Sequence, residues 1–316
     1  MINISICIPI YGVEKYIERC VRSLFEQTYQ NIEYVFVNDC TKDCSIEILS
    51  RIIALYPKRQ HAIKIINHDR NKGLAAARNT AIDHASGDFI IHVDSDDWVE
   101  KTMVEQLVQK QEETGADIVY SAVNKILSSS IQKVAQKKYE KGADYAKAIL
   151  LGKAEHWIWG KLIRKALYTQ HSIRADEGVN MGEDFQVTPR LAYFANKVSY
   201  VNSPLYNYEC SNMQAYTKNV TIVSRRQQWR AFEILKEFFY SHDIYSEEVR
   251  YCEFSMIYMH LRPIIKGVKI DECYYLYLKN RYDALIKDSS INPLSLKRKI
   301  VLFIIFQRAR NYYGNF

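Results

Sequence analysis

The feature that most limits what this chain can fold into is an alternation running through its first 125 residues. Short apolar, β-branched runs at 4–8, 32–37, 62–66, 89–93 and 117–123 are separated by stretches with helical spacing at 13–27, 45–56, 74–84 and 101–114. Continuous apolar strands alternating with helices predict an α/β fold: a mostly parallel, twisted sheet flanked by helices on both faces. Ligands of such sheets sit outside the carboxyl ends of the strands, where the strand order switches.

Beyond Lys125 the pattern loosens. Residues 128–130 and 133–141 read as a surface excursion, 143–151, 162–168 and 184–194 as helices, and 198–201 and 205–208 as two short strands. Long helical segments follow at 222–240, 247–265, 271–286 and 294–310. With no internal repeat and no Gly/Ser- or Pro-rich linker, the expected organisation is a first unit at 1–220 with a helical region at 221–316 packed on it.

Charge is uneven along the chain. The 43 Lys/Arg exceed the 36 Asp/Glu by seven, and the residues from Thr221 onward hold 16 of the former and 10 of the latter. That excess is too mild for a dedicated nucleic-acid binder. The seven cysteines are scattered, with no CxxC pair, which fits a reduced cytoplasmic protein better than a disulfide framework. The start, MINISICIPIYG, lacks the basic segment and cleavage site of a signal peptide. No apolar stretch approaches the roughly 20 residues of a spanning helix.

The strand ends carry the chemistry. The first ends in Pro9-Ile10-Tyr11, the second in Asn38-Asp39, the fourth in Asp94-Ser95-Asp96-Asp97. Clustered carboxylates at a strand end repel one another and lose hydration, and a cation is the simplest compensation. Hard oxygen ligands of this kind suit Mg²⁺ or Mn²⁺ bridging a diphosphate. The same Asp96-Asp97 pair also fits the cap of a helix starting near Trp98. Glu183-Asp184, after a glycine-containing segment, fits both a reactive carboxylate and the favourable start of a helix.

Four stretches in order, IPIYGVEKYIERCVRSLFEQTYQNIEYVFVNDCTKDCS, NKGLAAARNTAIDHASGDFI, HVDSDDWV and WGKLIRK followed by MGEDFQ, resemble the inverting family 2 glycosyltransferases. The resemblance covers about two-thirds of the chain and implies a GT-A nucleotide-sugar-binding fold. It implies a nucleotide-sugar donor, here a UDP-sugar, bound by Pro9, Tyr11, Asp39, Arg78, Asp94 and Ser95. It makes Asp94 and Asp96 the DxD pair, with Asp96 on the metal (Mn²⁺ or Mg²⁺), and Asp184 the general base. Trp159, Lys161 and Glu183 fall on its acceptor or sugar side, and the acceptor class is a glycan or lipid-linked saccharide. Inverting transfer needs that minimum: a metal-held diphosphate leaving group and one base for the acceptor hydroxyl. The sequence departs at Glu209, where resembling sequences carry an arginine that helps hold the diphosphate; Lys218 is the substitute cation nearby.

Two rival readings stand beside this one. A nucleotidyltransferase shares the strand-end Asp but usually opens on a Gly-rich basic loop, which Pro9-Ile10-Tyr11-Gly12-Val13-Glu14 is not. A sugar-binding protein that kept the fold and lost turnover is compatible with Glu209 but not with the intact carboxylate set. The cationic and apolar tail from Leu294 admits two dispositions as a helix. It either docks on the core or lies at the inner face of the membrane, apolar side down.

Overall fold

The computed structural model describes residues 1–213, 215, 218, 220–288 and 296–313. In chain order its elements are β1 (Ile4–Ile10), α1 (Ile17–Phe25), β2 (Ile32–Asn38), α2 (Ser45–Leu55), β3 (Ile63–Asn67), α3 (Leu74–His84), β4 (Phe89–His92) and β5 (Trp98–Val99). There follow α4 (Met103–Thr114), β6 (Ile118–Leu127), β7 (Ser130–Val134), α5 (Gly142–Leu150), β8 (Leu162–Arg164), α6 (Lys165–Gln170), α7 (Glu183–Phe194) and β9 (Val198–Glu209). The chain continues through α8 (Ile222–Ser241), α9 (Ser246–Leu261), α10 (Glu272–Asp288) and α11 (Leu296–Tyr313).

The strands form one mixed sheet in the order β3-β2-β1-β4-β8-β6-β9-β5, with β7 paired to β6. Strands β3, β2, β1 and β4 are mutually parallel. Every residue of β1 and β4 is buried, as expected of strands covered on both faces. One core cluster packs α1, α2 and α4 on one face, and a second packs the alanine-rich α3 with α5 and α7 on the other. Ala75, Ala76, Ala77 and Ala81 are all buried, so small side chains let α3 lie close to the sheet.

Three local expectations are corrected. The stretch 162–168 is not one helix: Leu162–Arg164 pairs antiparallel with both β4 and β6, and the helix begins only at Lys165. Three apolar residues are too few to show a period, and the vacant sheet position decides between the two. Residues 198–209 form one strand rather than two, with a register irregularity opposite Ser121 and Ala122 that accommodates Pro204. Part of the expected surface excursion is β7, hairpin partner of β6.

From α8 onward the helices build a third cluster around Phe232, Phe239, Phe254 and Leu278, against which Phe185 and Tyr193 of α7 also pack. The turn into α7 seals this contact. Gly182 has φ +93, and a Cβ there would meet the Ala231 methyl of α8 at 3.1 Å. In α11, Leu302, Ile305 and Ala309 are fully buried on this cluster, so the helix docks on the core. Ile300, Phe303 and Ile304 are nevertheless 51%, 61% and 41% exposed on its other side. The expected helix start at Leu294 lies outside the described residues. Among those, no helix is long and apolar enough to cross a membrane.

Candidate active site

The chain leaves β1 toward β2 on one side and returns in β4 on the other, and at that switch a cavity of about 690 Å³ opens. Pro9, Tyr11, Asp39, Arg78, Asp94, Ser95 and Asp96 line it, and so do Trp159, Glu183 and Asp184. Ten of the eleven residues singled out from sequence therefore meet in one place. Lys161 is not among the lining residues.

Tyr11 lies at the rim, 52% exposed. Asp39 is buried and braces the loop behind it. Its Oδ1 accepts from the Lys72 amide and the His68 ring at 2.7 Å, and its Oδ2 from the Gly73 amide at 2.8 Å. Gly73 has φ +90, and any Cβ there would run into the Asn180 side chain. Asn180 in turn accepts from the Ala75 amide at 3.0 Å, which ties the segment before α7 to the start of α3.

The acidic turn after β4 divides its labour. Ser95 Oγ donates to the Pro9 carbonyl at 2.7 Å, locking the turn to the end of β1. Asp97 caps no helix: residues 98–99 are strand, and the next helix starts at Met103. Its carboxyl is fully buried, accepting from Tyr206 Oη and the Glu209 amide at 2.7 Å each. Burial, with the charges of Asp96 and Asp94, pushes it well above the usual carboxylate range. Asp94 and Asp96 are left facing the cavity. Asp96 has no cationic partner among the described residues, and its Oδ2 accepts from Asn212 Nδ2 at 2.8 Å. Burial and the neighbouring Asp94 push its carboxyl up to about 6.

Arg78 joins this turn to the start of α7. Its buried guanidinium donates to Asp94 Oδ1 at 2.7 Å and to Glu183 Oε1 at 3.3 Å. Nη1 is buried without a partner. Glu183 and Asp184 open α7, where the helix dipole favours acids. Burial nevertheless raises both carboxyls, and the Asp184 charge raises Glu183 further. Asp184 Oδ1 accepts from the Phe185 amide at 2.7 Å, while Oδ2 lies 3.9 Å from His156 Nε2. A carboxylate that is oriented by one oxygen, raised in basicity and open to the cavity through the other suits proton abstraction.

Trp159 is 6% exposed and stacked with Trp157 at 4.7 Å, Tyr206 at 4.4 Å and Tyr208 at 5.4 Å, which leaves little free face. Trp157, half-buried, is the outer member of that stack. Lys161 is 2% exposed, has no hydrogen bond or ion pair among the described residues, and is pushed down to about 8 by burial. It acts on the site as a buried charge behind Asp184.

Glu209 is not among the residues lining the cavity. It pairs with Arg19 at 2.9 Å and accepts from the Ser211 amide at 3.0 Å and hydroxyl at 2.6 Å; Arg19 itself stacks over Trp98 at 3.5 Å. The Glu209 charge is shared with Arg19 and still adds to the field that raises Asp96, and the acid shapes the turn that brings Asn212 to Asp96. Lys218 is exposed and outside the lining. Sequence reasoning missed Asn180, Met181, His156, Trp157, Asn212 and the residues of α8 and α9 that complete the wall, Gln228, Met256 and Met259. A Met256/Met259 pair at helical spacing looks the same as any core stripe, so no sequence signal singled it out.

The chain is similar to known glycosyltransferases. Residues 5–177 match the family model described as glycosyl transferase family 2. EpsH of Bacillus subtilis (strain 168) is 35% identical over 228 residues, 69% of this chain and 64% of that protein. Glycosyltransferase GlyA of Streptococcus pneumoniae is 35% identical over 218 residues, 65% of this chain but 30% of GlyA. The chain thus spans less than two-thirds of the length of these relatives. Among solved structures, Staphylococcus aureus TarS 1–349 in complex with UDP-GlcNAc superposes with a TM-score of 0.62 over 82% of this chain and 81% of that one, at 20% identity. The fold is thus of the GT-A type, and with the family model spanning the strand-end carboxylates, the chain belongs to glycosyltransferase family 2.

Proposed function

We propose that the protein is a metal-dependent inverting glycosyltransferase. It moves a sugar from a UDP-sugar to a hydroxyl of a glycan or lipid-linked saccharide. The observation that carries this reading is one cavity holding an acidic turn, in which Asp94 pairs with Arg78 and Asp96 has no cationic partner among the described residues, and a separate basic carboxylate, Asp184. Such a division matches a reaction that neutralises a diphosphate leaving group at one point and removes a proton at another. A binding protein has no use for the raised, oriented Asp184. The relative TarS is named a poly(ribitol-phosphate) β-N-acetylglucosaminyltransferase, and its structures hold UDP-GlcNAc or UDP, which supports the UDP assignment.

The acidic turn fits a divalent cation. Among the described residues no cluster of three or more metal-ligating side chains exists. That suits Mg²⁺ or Mn²⁺, which one or two carboxylates hold together with substrate phosphates. Asp96, raised and without a cationic partner among the described residues, and Asp94, shared with Arg78, would hold the ion. When bound, the ion supplies charge neutralisation for the departing nucleoside diphosphate. On the protein's side, Tyr11 stacks the base and Asp39 holds the loop beneath it. Asp184 takes the acceptor proton as the oxygen attacks the anomeric carbon from the face opposite the leaving group, which inverts that centre.

The test is UDP release from a panel of UDP-sugars with and without Mn²⁺; no release with any donor overturns the reading in favour of a binding protein. Asp96→Asn should abolish Mn²⁺-dependent UDP binding, measured by calorimetry. The same variant should be more stable than wild type at pH 7.5. In the wild type, burial and the Asp94 charge push the Asp96 carboxyl up to about 6, above the ordinary aspartate value, so this group's stabilisation is full at low pH and falls as pH rises toward 6. Removing the charge returns about 1–3 kcal/mol, read by urea denaturation without metal.

We further propose peripheral contact with the cytoplasmic face of the membrane through α11. Ile300, Phe303 and Ile304 expose one apolar face beside the exposed Arg308 and Arg310. Wild type should float with phosphatidylglycerol-containing liposomes and not with phosphatidylcholine alone, and Phe303→Glu should abolish flotation. Equal behaviour of the two proteins refutes the contact.

A further inference from the structure

The cavity extends past the acidic turn to the C-terminal helices. One wall comes from helices beyond the family-matched residues, and that wall is apolar. Met256 and Met259, one turn apart on α9, share it with Met181 and Phe185, which flank Asp184 in sequence. Three of the chain's six methionines thus converge on one cavity. Among the described residues, Gln228 is the only hydrogen-bond donor side chain that the C-terminal helices contribute to the lining. The wall is held in place: the Met181 amide donates to Gln227 Oε1 of α8 at 3.1 Å, and Gly182 abuts Ala231.

These side chains cannot read a pattern of hydroxyls. A thioether is a weak acceptor and no donor, and methionine serves as an adaptable apolar surface. Met259, 45% exposed, lines the cavity with its side chain accessible to a ligand. The donor's ribose, diphosphate and sugar are polar and have the Asp39, Arg78 and Asp94–Asp96 side of the cavity for themselves. We infer that the methionine wall is an acceptor subsite for a hydrocarbon portion lying next to the reacting hydroxyl, so that the acceptor is an amphipathic glycoside or alcohol rather than the end of a purely polar glycan. This deepens the transferase reading and rests on it for the role of Asp184.

The inference is tested by binding, apart from turnover. With UDP and Mn²⁺ present, n-hexyl and methyl β-D-glucopyranoside are compared by calorimetry below the micellar range. Burying even two of the added methylenes is worth about tenfold, so the hexyl compound should bind at least that much more tightly. Met259→Glu, at an exposed position that tolerates charge, should erase the preference. Met256→Leu should keep it, and ligand-free thermal melting confirms that both variants are folded. Equal affinity for the two glucosides overturns the inference, as does a Met259→Glu variant that retains the preference. Variants that weaken UDP-sugar binding equally with either glucoside assign the wall to the donor and overturn it as well. A hexyl preference in a protein that releases no UDP from any sugar donor leaves the wall standing and counts against the transferase reading alone.

Discussion

Asp184→Asn is expected to lower the kcat of sugar transfer by about 10²–10⁴-fold, the usual worth of a general base, while Mn²⁺-dependent UDP binding stays near that of wild type. The asparagine keeps the shape and can still accept from the Phe185 amide, so the helix start survives and only proton abstraction is lost. Because burial raises the Asp184 carboxyl, the wild-type enzyme should show an acid limb in kcat/KM above the ordinary aspartate value of about 4. The sign follows from the role: a base must be ionised, so activity rises with pH through that limb. A loss smaller than about tenfold, or an acid limb that persists in the variant, would remove Asp184 from the chemistry.

Arg78→Met should be the most damaging single change to stability, by about 3–5 kcal/mol in urea denaturation at neutral pH. The guanidinium is the shared counterion of Asp94 and Glu183, whose side chains are 24% and 8% exposed, and it is itself 5% exposed. Methionine fills much of its volume and strands both carboxylates. Burial favours the neutral forms, so part of the loss should disappear as pH falls and the two acids protonate. A second change, Glu183→Gln, should recover part of it at neutral pH, because one stranded charge is then gone. A destabilisation below about 1 kcal/mol would mean that water or another cation reaches these acids once Arg78 is absent. Arg78 is thus a structural bridge that also sets the field at both ends of the site, and its unpartnered Nη1 leaves it one donor in reserve.

Most of the candidate site was legible because strand ends concentrate polar residues where the chain leaves an apolar sheet. Asp39, Asp94 and Asp96 stand out against the buried runs before them, and Glu183-Asp184 against a helix start. Their exact duties were not legible. Asp39 spends three hydrogen bonds on its own loop, and Asp97 turns inward to Tyr206 and the Glu209 amide. Trp159 is sealed in an aromatic stack, and Glu209 looks out toward Arg19. Each of these outcomes depends on a partner more than 25 residues away, which no local pattern encodes.

The sequence by itself determined the layered α/β architecture. Its apolar runs are long enough to be buried on both faces, and the helices between them have one face to hide. It also determined the order of acidic turns along the chain, and with them the family. Tertiary structure alone decided that residues 162–164 are a strand, because the gap between β4 and β6 had unpaired backbone to satisfy. It alone placed Arg78 between two distant acids and brought the methionines of α9 to the wall beside Asp184. Burial and charge pairing act through space, so the side chains that share a cavity are settled only when the helices dock.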